Sequence, residues 1–123
     1  MKRNLYQMKT ELKNAWTKAL RSGDYKQGMG RLCIMDNYCC IGVLTDVIDK
    51  QFPDILETDW EVRRNGYGEM LIVCDGIERS TRLPPELRNK IELNYGDQSN
   101  LIRMNDGAGC SFNEIADYIE ENL

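Results

Sequence analysis

Residues 59–76, DWEVRRNGYGEMLIVCDG, decide the fold class of this 123-residue chain. Both flanks of the centre are rich in strand formers, and Asn65-Gly66 suits a two-residue type I′ turn. Strands are expected near 59–64 and 67–74, with Asp75-Gly76 closing the second. A hairpin implies antiparallel pairing, and the chain has too few strands and too short connections for a doubly wound sheet.

Outward from the hairpin the apolar pattern becomes helical. Cys40, Val43, Leu44, Val47 and Ile48 recur against polar Thr45, Asp46, Asp49 and Lys50, which predicts an amphipathic helix ended by Pro53. Before it, the glycine-rich GDYKQGMG (23–30) reads as a loop leading into a strand at 31–35, followed by a turn at Asp36-Asn37. Over 5–20, Leu5, Met8, Leu12, Ala15, Trp16, Ala19 and Leu20 make one helical face, with Gly23 suited to the left-handed cap. Downstream, Pro84 and Pro85 open a short helix expected over 85–93, and the polar piece 94–100 reads as a loop.

The C-terminal helix is the most explicit. Ser111 and Glu114 form a capping box, Cys110 and Ile115 occupy hydrophobic-staple positions, and Phe112, Ile115, Ala116 and Ile119 share a face. The sum is an α+β chain, one compact domain over 1–123, with about four helices on a small, largely antiparallel sheet.

Composition narrows the chemistry. The chain has no histidine, which removes Ser-His and Cys-His nucleophile activation and mixed zinc sites. Its five cysteines contain no C-x-x-C pair, and an odd count fits a disulfide framework poorly. No metal and no cofactor are expected. Asp54, Glu57, Asp59 and Glu61 read as a solvated acidic edge, since alternate residues of a strand face opposite sides. No apolar run approaches the roughly eighteen residues of a membrane span, and the charged N-terminus lacks a signal-peptide pattern; a cytoplasmic protein is expected.

The pair Cys39-Cys40 in DNYCCIGVL (36–44) resembles a redox motif, yet adjacent cysteines bridge only through a strained ring. Cys40 belongs to the buried helix face, which leaves Cys39 as the thiol available for chemistry.

Charge is distributed unevenly. Residues 1–31 carry eight Lys or Arg against Glu11 and Asp24, whereas 32–123 carry eight against eighteen acids. The basic segment suits phosphates, or else it pairs with the acidic body. Nucleic acid is disfavoured as a partner by the pI near 4.9.

Three motifs carry a resemblance: WTKALRSGDYKQGMGRL (16–32), YCCIGVL (38–44) and NDGAGCSFNEIADYIE (105–120). Together they resemble small proteins encoded by tailed bacteriophages and prophages, matching at both ends of the chain and loosely in the hairpin region. The resemblance implies a phage origin and an accessory factor acting on host machinery or host defence.

The candidate binding residues are Tyr25, Lys26, Gln27 and Arg31, whose flexible glycines let backbone amides approach a ligand. Lys26 and Arg31 would hold a phosphate while Tyr25 stacks a base. Asn105 and Asp106 would project an amide and a carboxylate into a cleft, or form an Asx turn before the last helix. The expected function is therefore non-catalytic sequestration of a small anionic, nucleotide-type ligand, with a homo-oligomer helping to build the pocket. The alternative is a protein that inhibits a host factor through an exposed surface; an enzyme using a cysteine or carboxylates is the third reading.

Overall fold

The computed structural model describes the backbone over residues 5–123 and the side chains over 10–123. The Leu5 and Met8 side chains of the expected first helical face, the Lys9 side chain, and Lys2 and Arg3 of the basic segment lie outside what the structure describes. The fold is α+β: five helices with two three-stranded sheets among the described residues.

The first helix, α1 (Leu5–Arg21), buries Leu12, Trp16 and Leu20 along one side. It packs on the last helix, α5 (Phe112–Asn122), and the contact is polar at its rim. Arg21 reaches Asp117 at 2.6 Å and Glu120 at 3.2 Å, so this part of the basic segment pairs with the acidic body. Gly23 follows in the left-handed region, φ 80°.

The first sheet is minute: β1 (Lys26–Gln27), β2 (Cys33–Ile34) and β3 (Asn37–Tyr38), in the order β1-β3-β2. β2 and β3 are antiparallel, while β1 joins β3 in parallel with Lys26 opposite Asn37 and Gln27 opposite Tyr38. Met35 and Asp36, with φ 50° and 64°, form the left-handed pair of a two-residue turn between Ile34 and Asn37. Such a pair is normally Asn-Gly or Asp-Gly, so this turn carries backbone strain.

Helix α2 (Cys40–Gln51) runs through the centre of the core, buried without interruption from Cys40 to Ile48. Its entry depends on Gly42. A Cβ there would stand 1.6 Å from the Leu32 carbonyl oxygen, so only glycine lets the first turn meet the strand this closely. The chain leaves α2 at Phe52, and Pro53–Ile55 forms a 3-10 turn.

The second sheet has the order β4-β5-β6, with β4 (Glu61–Arg64), β5 (Met70–Cys74) and β6 (Ile77–Arg79) all antiparallel. The expected hairpin is present, but its turn is not a two-residue one at Asn65-Gly66. Asn65 pairs with Glu69 around a three-residue loop, the Gly68 amide donates to the Asn65 carbonyl at 3.1 Å, and Gly68 takes φ 71°. The Asn65 carboxamide stabilises this loop by accepting from the Tyr67 and Glu69 amides. The two-residue left-handed turn falls instead at Asp75-Gly76, φ 51° and 77°, which closes β5 as expected and leads into β6. Met70 and Ile72 point into the core; Leu71 and Val73 lie on the opposite face, beside the exposed Glu61, Arg63 and Glu78.

Helix α3 (Pro85–Ile91) begins at its prolines as expected and stops at Glu92, which is left-handed at φ 61°. The piece expected as a loop over 94–100 is helical. Asn94 caps α4 (Tyr95–Asp106), accepting from the Asp97 amide at 2.7 Å. Its buried positions are Gln98, Leu101 and Asn105, so two of three are polar and the apolar periodicity never appears in the sequence. Helix α5 carries the full capping box at Ser111 and Glu114 and buries Phe112, Ile115, Ala116 and Ile119.

Candidate functional site

The candidate site forms where β1 lies against β3 and the last turns of α2. Tyr25, just before β1, donates its hydroxyl to Asp46 Oδ2 at 2.5 Å. Asp46 is 3 % exposed, and Lys50, one turn along α2, reaches the same oxygen at 2.9 Å. A buried carboxylate is tolerable only when paired in this way, and the pairing fixes Tyr25. Burial, and next the Asp46 carboxylate, hold the Tyr25 phenol well above its usual range, so it stays a donor. The hydrogen bond to Asp46 raises the Lys50 ammonium in turn.

The Tyr25 ring meets Tyr38 edge-to-face, centroids 4.9 Å apart at 84°. Tyr38 accepts from Arg64 Nη2 at 2.6 Å, and the other guanidinium nitrogen donates to Cys33 Sγ at 3.4 Å. Two polar networks, one on α2 and one spanning β2, β3 and β4, thus meet at a tyrosine pair. Above them opens a cleft of about 550 Å³ lined by Asp24, Tyr25, Lys26, Asp36, Tyr38 and Lys50. It is open to solvent and offers two ammonium groups, two carboxylates and aromatic edges. Asp36 is held there by the strained Met35-Asp36 turn. A second recess, between Leu12, Trp16, Leu44, Ile91 and Ile119, holds only about 30 Å³, room for a water-sized group.

The six residues singled out in the sequence separate into three places. Tyr25 and Lys26 line the cleft. Gln27, Asn105 and Asp106 form a clasp away from it: the Gln27 amide donates to Asn105 Oδ1 at 3.0 Å and to the Cys110 carbonyl at 2.8 Å. Asn105, 1 % exposed, donates to the Gly28 carbonyl and to Asp106 Oδ1, both at 2.8 Å. Asn105 and Asp106 are the last turn of α4, not an Asx turn before α5, and their polar groups are used in tying β1 to the helices. Arg31 is ion-paired with Glu69 on the hairpin and does not reach the cleft. Sequence reasoning missed Asp36, Tyr38, Asp46 and Lys50; the one available signal was that Asp46 lies within one turn of the buried face of α2.

Cys39 is corrected as well. Its sulfur caps α2 by accepting from the Gly42 amide at 3.3 Å, and burial pushes its thiol up to about 11. Cys40 is wholly buried, its sulfur 3.6 Å from the Leu101 carbonyl, and burial raises it too. Burial moves both thiols upward, away from the lowered range of an activated nucleophile. Among the described residues no cluster of three or more Cys, Asp or Glu side chains is arranged to hold a metal ion, and no helix is long and apolar enough to cross a membrane.

No curated protein and no solved structure matches the chain. A family profile does match, over residues 8–123, and on that span the chain belongs to the family described as a domain of unknown function, DUF8296.

Proposed function

We propose that the protein is a non-catalytic accessory factor of phage origin, working in the host cytoplasm, that binds a small anionic ligand of nucleotide type in the cleft beside Tyr25. The observation that carries this reading is the meeting of Lys26 and Lys50 around a fixed tyrosine pair. Lys26 is exposed and has no side-chain partner among the described residues, which leaves its ammonium for a phosphate. Asp24 and Asp36 suit the donors of a sugar or base, and Tyr25 offers ring surface beside them. Sequestration needs no activated nucleophile, in keeping with the upward shifts of Tyr25, Tyr38, Cys39 and Cys40.

The test is titration calorimetry with mono-, di- and cyclic nucleotides, alongside native mass spectrometry of protein taken from infected cells. Binding is expected, weakened about tenfold by Lys26→Ala, the equivalent of one charge-assisted hydrogen bond. No heat from any nucleotide and no retained mass would sink the reading.

One observation favours the alternative, a protein partner. Met35 and Tyr67 are 74 % and 81 % exposed, and their loops touch through the Met35 amide and the Gly68 carbonyl at 3.3 Å. A host protein bound in stoichiometric amount and released by Met35→Asp would support that reading instead.

A further inference from the structure

We propose that β4 is the pairing edge of a homodimer, in which two copies of the chain join their second sheets antiparallel about a two-fold axis at Val62. The two edges of that sheet are not equivalent. Beyond β6, the Ser80 carbonyl already accepts from the Leu32 amide at 2.8 Å, so the first sheet's approach covers that side. Beyond β4 no element is paired among the described residues.

The ladder fixes which backbone groups are free. The Asn65 amide donates to the Glu69 carbonyl, so by alternation Arg63 and Glu61 also direct their backbone groups toward β5. Val62 and Arg64 therefore turn theirs outward, and neither has a backbone partner among the described residues. Trp60 adds an outward carbonyl, its amide being bonded to Leu56.

Antiparallel pairing of outward residues allows registers centred on Glu61, Val62, Arg63 or Arg64, and side-chain charge separates them. Centring on Glu61, Arg63 or Arg64 sets that residue against its own copy, and like charges directly opposite destabilise a ladder. Centring on Val62 sets Val62 against Val62, and Glu61 of each copy opposite Arg63 of the other, twice. Glu61 and Arg63 already sit 3.0 Å apart on the exposed face of β4, so two such pairs close into a four-charge network. Arg64 then faces Trp60 of the other copy. Charges on an edge strand ordinarily block pairing; here they permit one register and oppose its neighbours.

Sedimentation velocity over a concentration series up to about 100 μM, the range of a small interface, reads the mass directly. The expected result is a species of twice the chain mass whose dissociation increases with salt. Arg63→Glu is expected to give monomer, and adding Glu61→Arg to restore the dimer. Val62→Pro removes the central intermolecular donors while leaving the β4–β5 ladder intact, because that amide faces away from β5. It too is expected to yield folded monomer. A wild-type monomer throughout the series, or a dimer unchanged by Arg63→Glu, overturns the proposal; should Val62→Pro fail to fold, the charge pair still decides.

Discussion

The Tyr25 hydroxyl stands 2.5 Å from Asp46 Oδ2, joining the loop before β1 to the buried side of α2. That bond places an aromatic ring in the cleft and shields a carboxylate at once. Tyr25→Phe keeps the ring and leaves Asp46 with Lys50 as its remaining side-chain partner among the described residues. A loss of about 1–3 kcal/mol in denaturant unfolding is expected, the cost of withdrawing a donor from a buried charge. Asp46→Asn in the Tyr25→Phe background should then cost less than in the wild type, since the two residues act as one unit.

Alkaline pH should destabilise the protein, and the direction follows from the shifted groups. Cys39, with an ordinary value of 9.0, is held at about 11 in the fold, and Tyr25, Tyr38 and Cys40 are raised as well, burial being the largest cause in each. Above pH ~9 the unfolded chain releases protons that the fold retains, so stability falls as pH rises toward the folded values. Cys39 alone accounts for about 2–3 kcal/mol by pH ~11. Thermal melts between pH ~7 and ~11 check this; a flat profile above pH ~9 would show these thiols are not buried as described.

Thiol reactivity gives an independent check on the same burial. Cys74 and Cys110 are partly exposed, whereas Cys33, Cys39 and Cys40 are buried. Iodoacetamide at neutral pH should label Cys110 and Cys74 first and the other three only with unfolding, read by peptide mass spectrometry. Rapid labelling of Cys39 would reopen it as a reactive centre.

The sequence revealed elements wherever their driving force was local and apolar. Ser111 and Glu114 announce α5, and the repeat of Cys40, Val43, Leu44, Val47 and Ile48 announces α2, because each is written within one or two turns. Helix α4 was illegible because Gln98 and Asn105 take core positions through long-range bonds, Gln98 to the Leu83 amide and Asn105 to Gly28. The same reason hid most of the site. Tyr25 and Lys26 stood out by composition, but Asp46 and Lys50 read as the solvent face of a helix until β1 is laid against them. Asn65-Gly66 misled because an asparagine at the start of a three-residue loop looks the same in sequence as one within a two-residue turn.

Gly42 marks the least tolerant position in the fold. With the Leu32 carbonyl 1.6 Å from where a Cβ would sit, Gly42→Ala requires α2 to withdraw from the strand. That withdrawal would also break the Cys39 amide bond to the same carbonyl and the sulfur cap on Gly42. A loss of more than about 4 kcal/mol is expected, enough to leave little folded protein in a soluble-yield and circular-dichroism assay. An alanine variant that melts like the wild type would show that the helix and strand do not meet here.

The Met35-Asp36 turn separates stability from binding. Both residues occupy the left-handed region, and only Asp36 lines the cleft. Replacing the pair by Asn-Gly relieves the backbone, and a gain of about 1 kcal/mol in unfolding free energy is expected. The same variant deletes a cleft carboxylate, so nucleotide affinity should drop as the melting temperature rises. Met35→Asn alone is the control: it keeps Asp36, should raise the melting temperature by part of that gain, and should leave affinity unchanged. If Asn-Gly stabilises the fold without touching affinity, Asp36 has no part in holding the ligand, and the binding reading contracts to the two lysines and Tyr25.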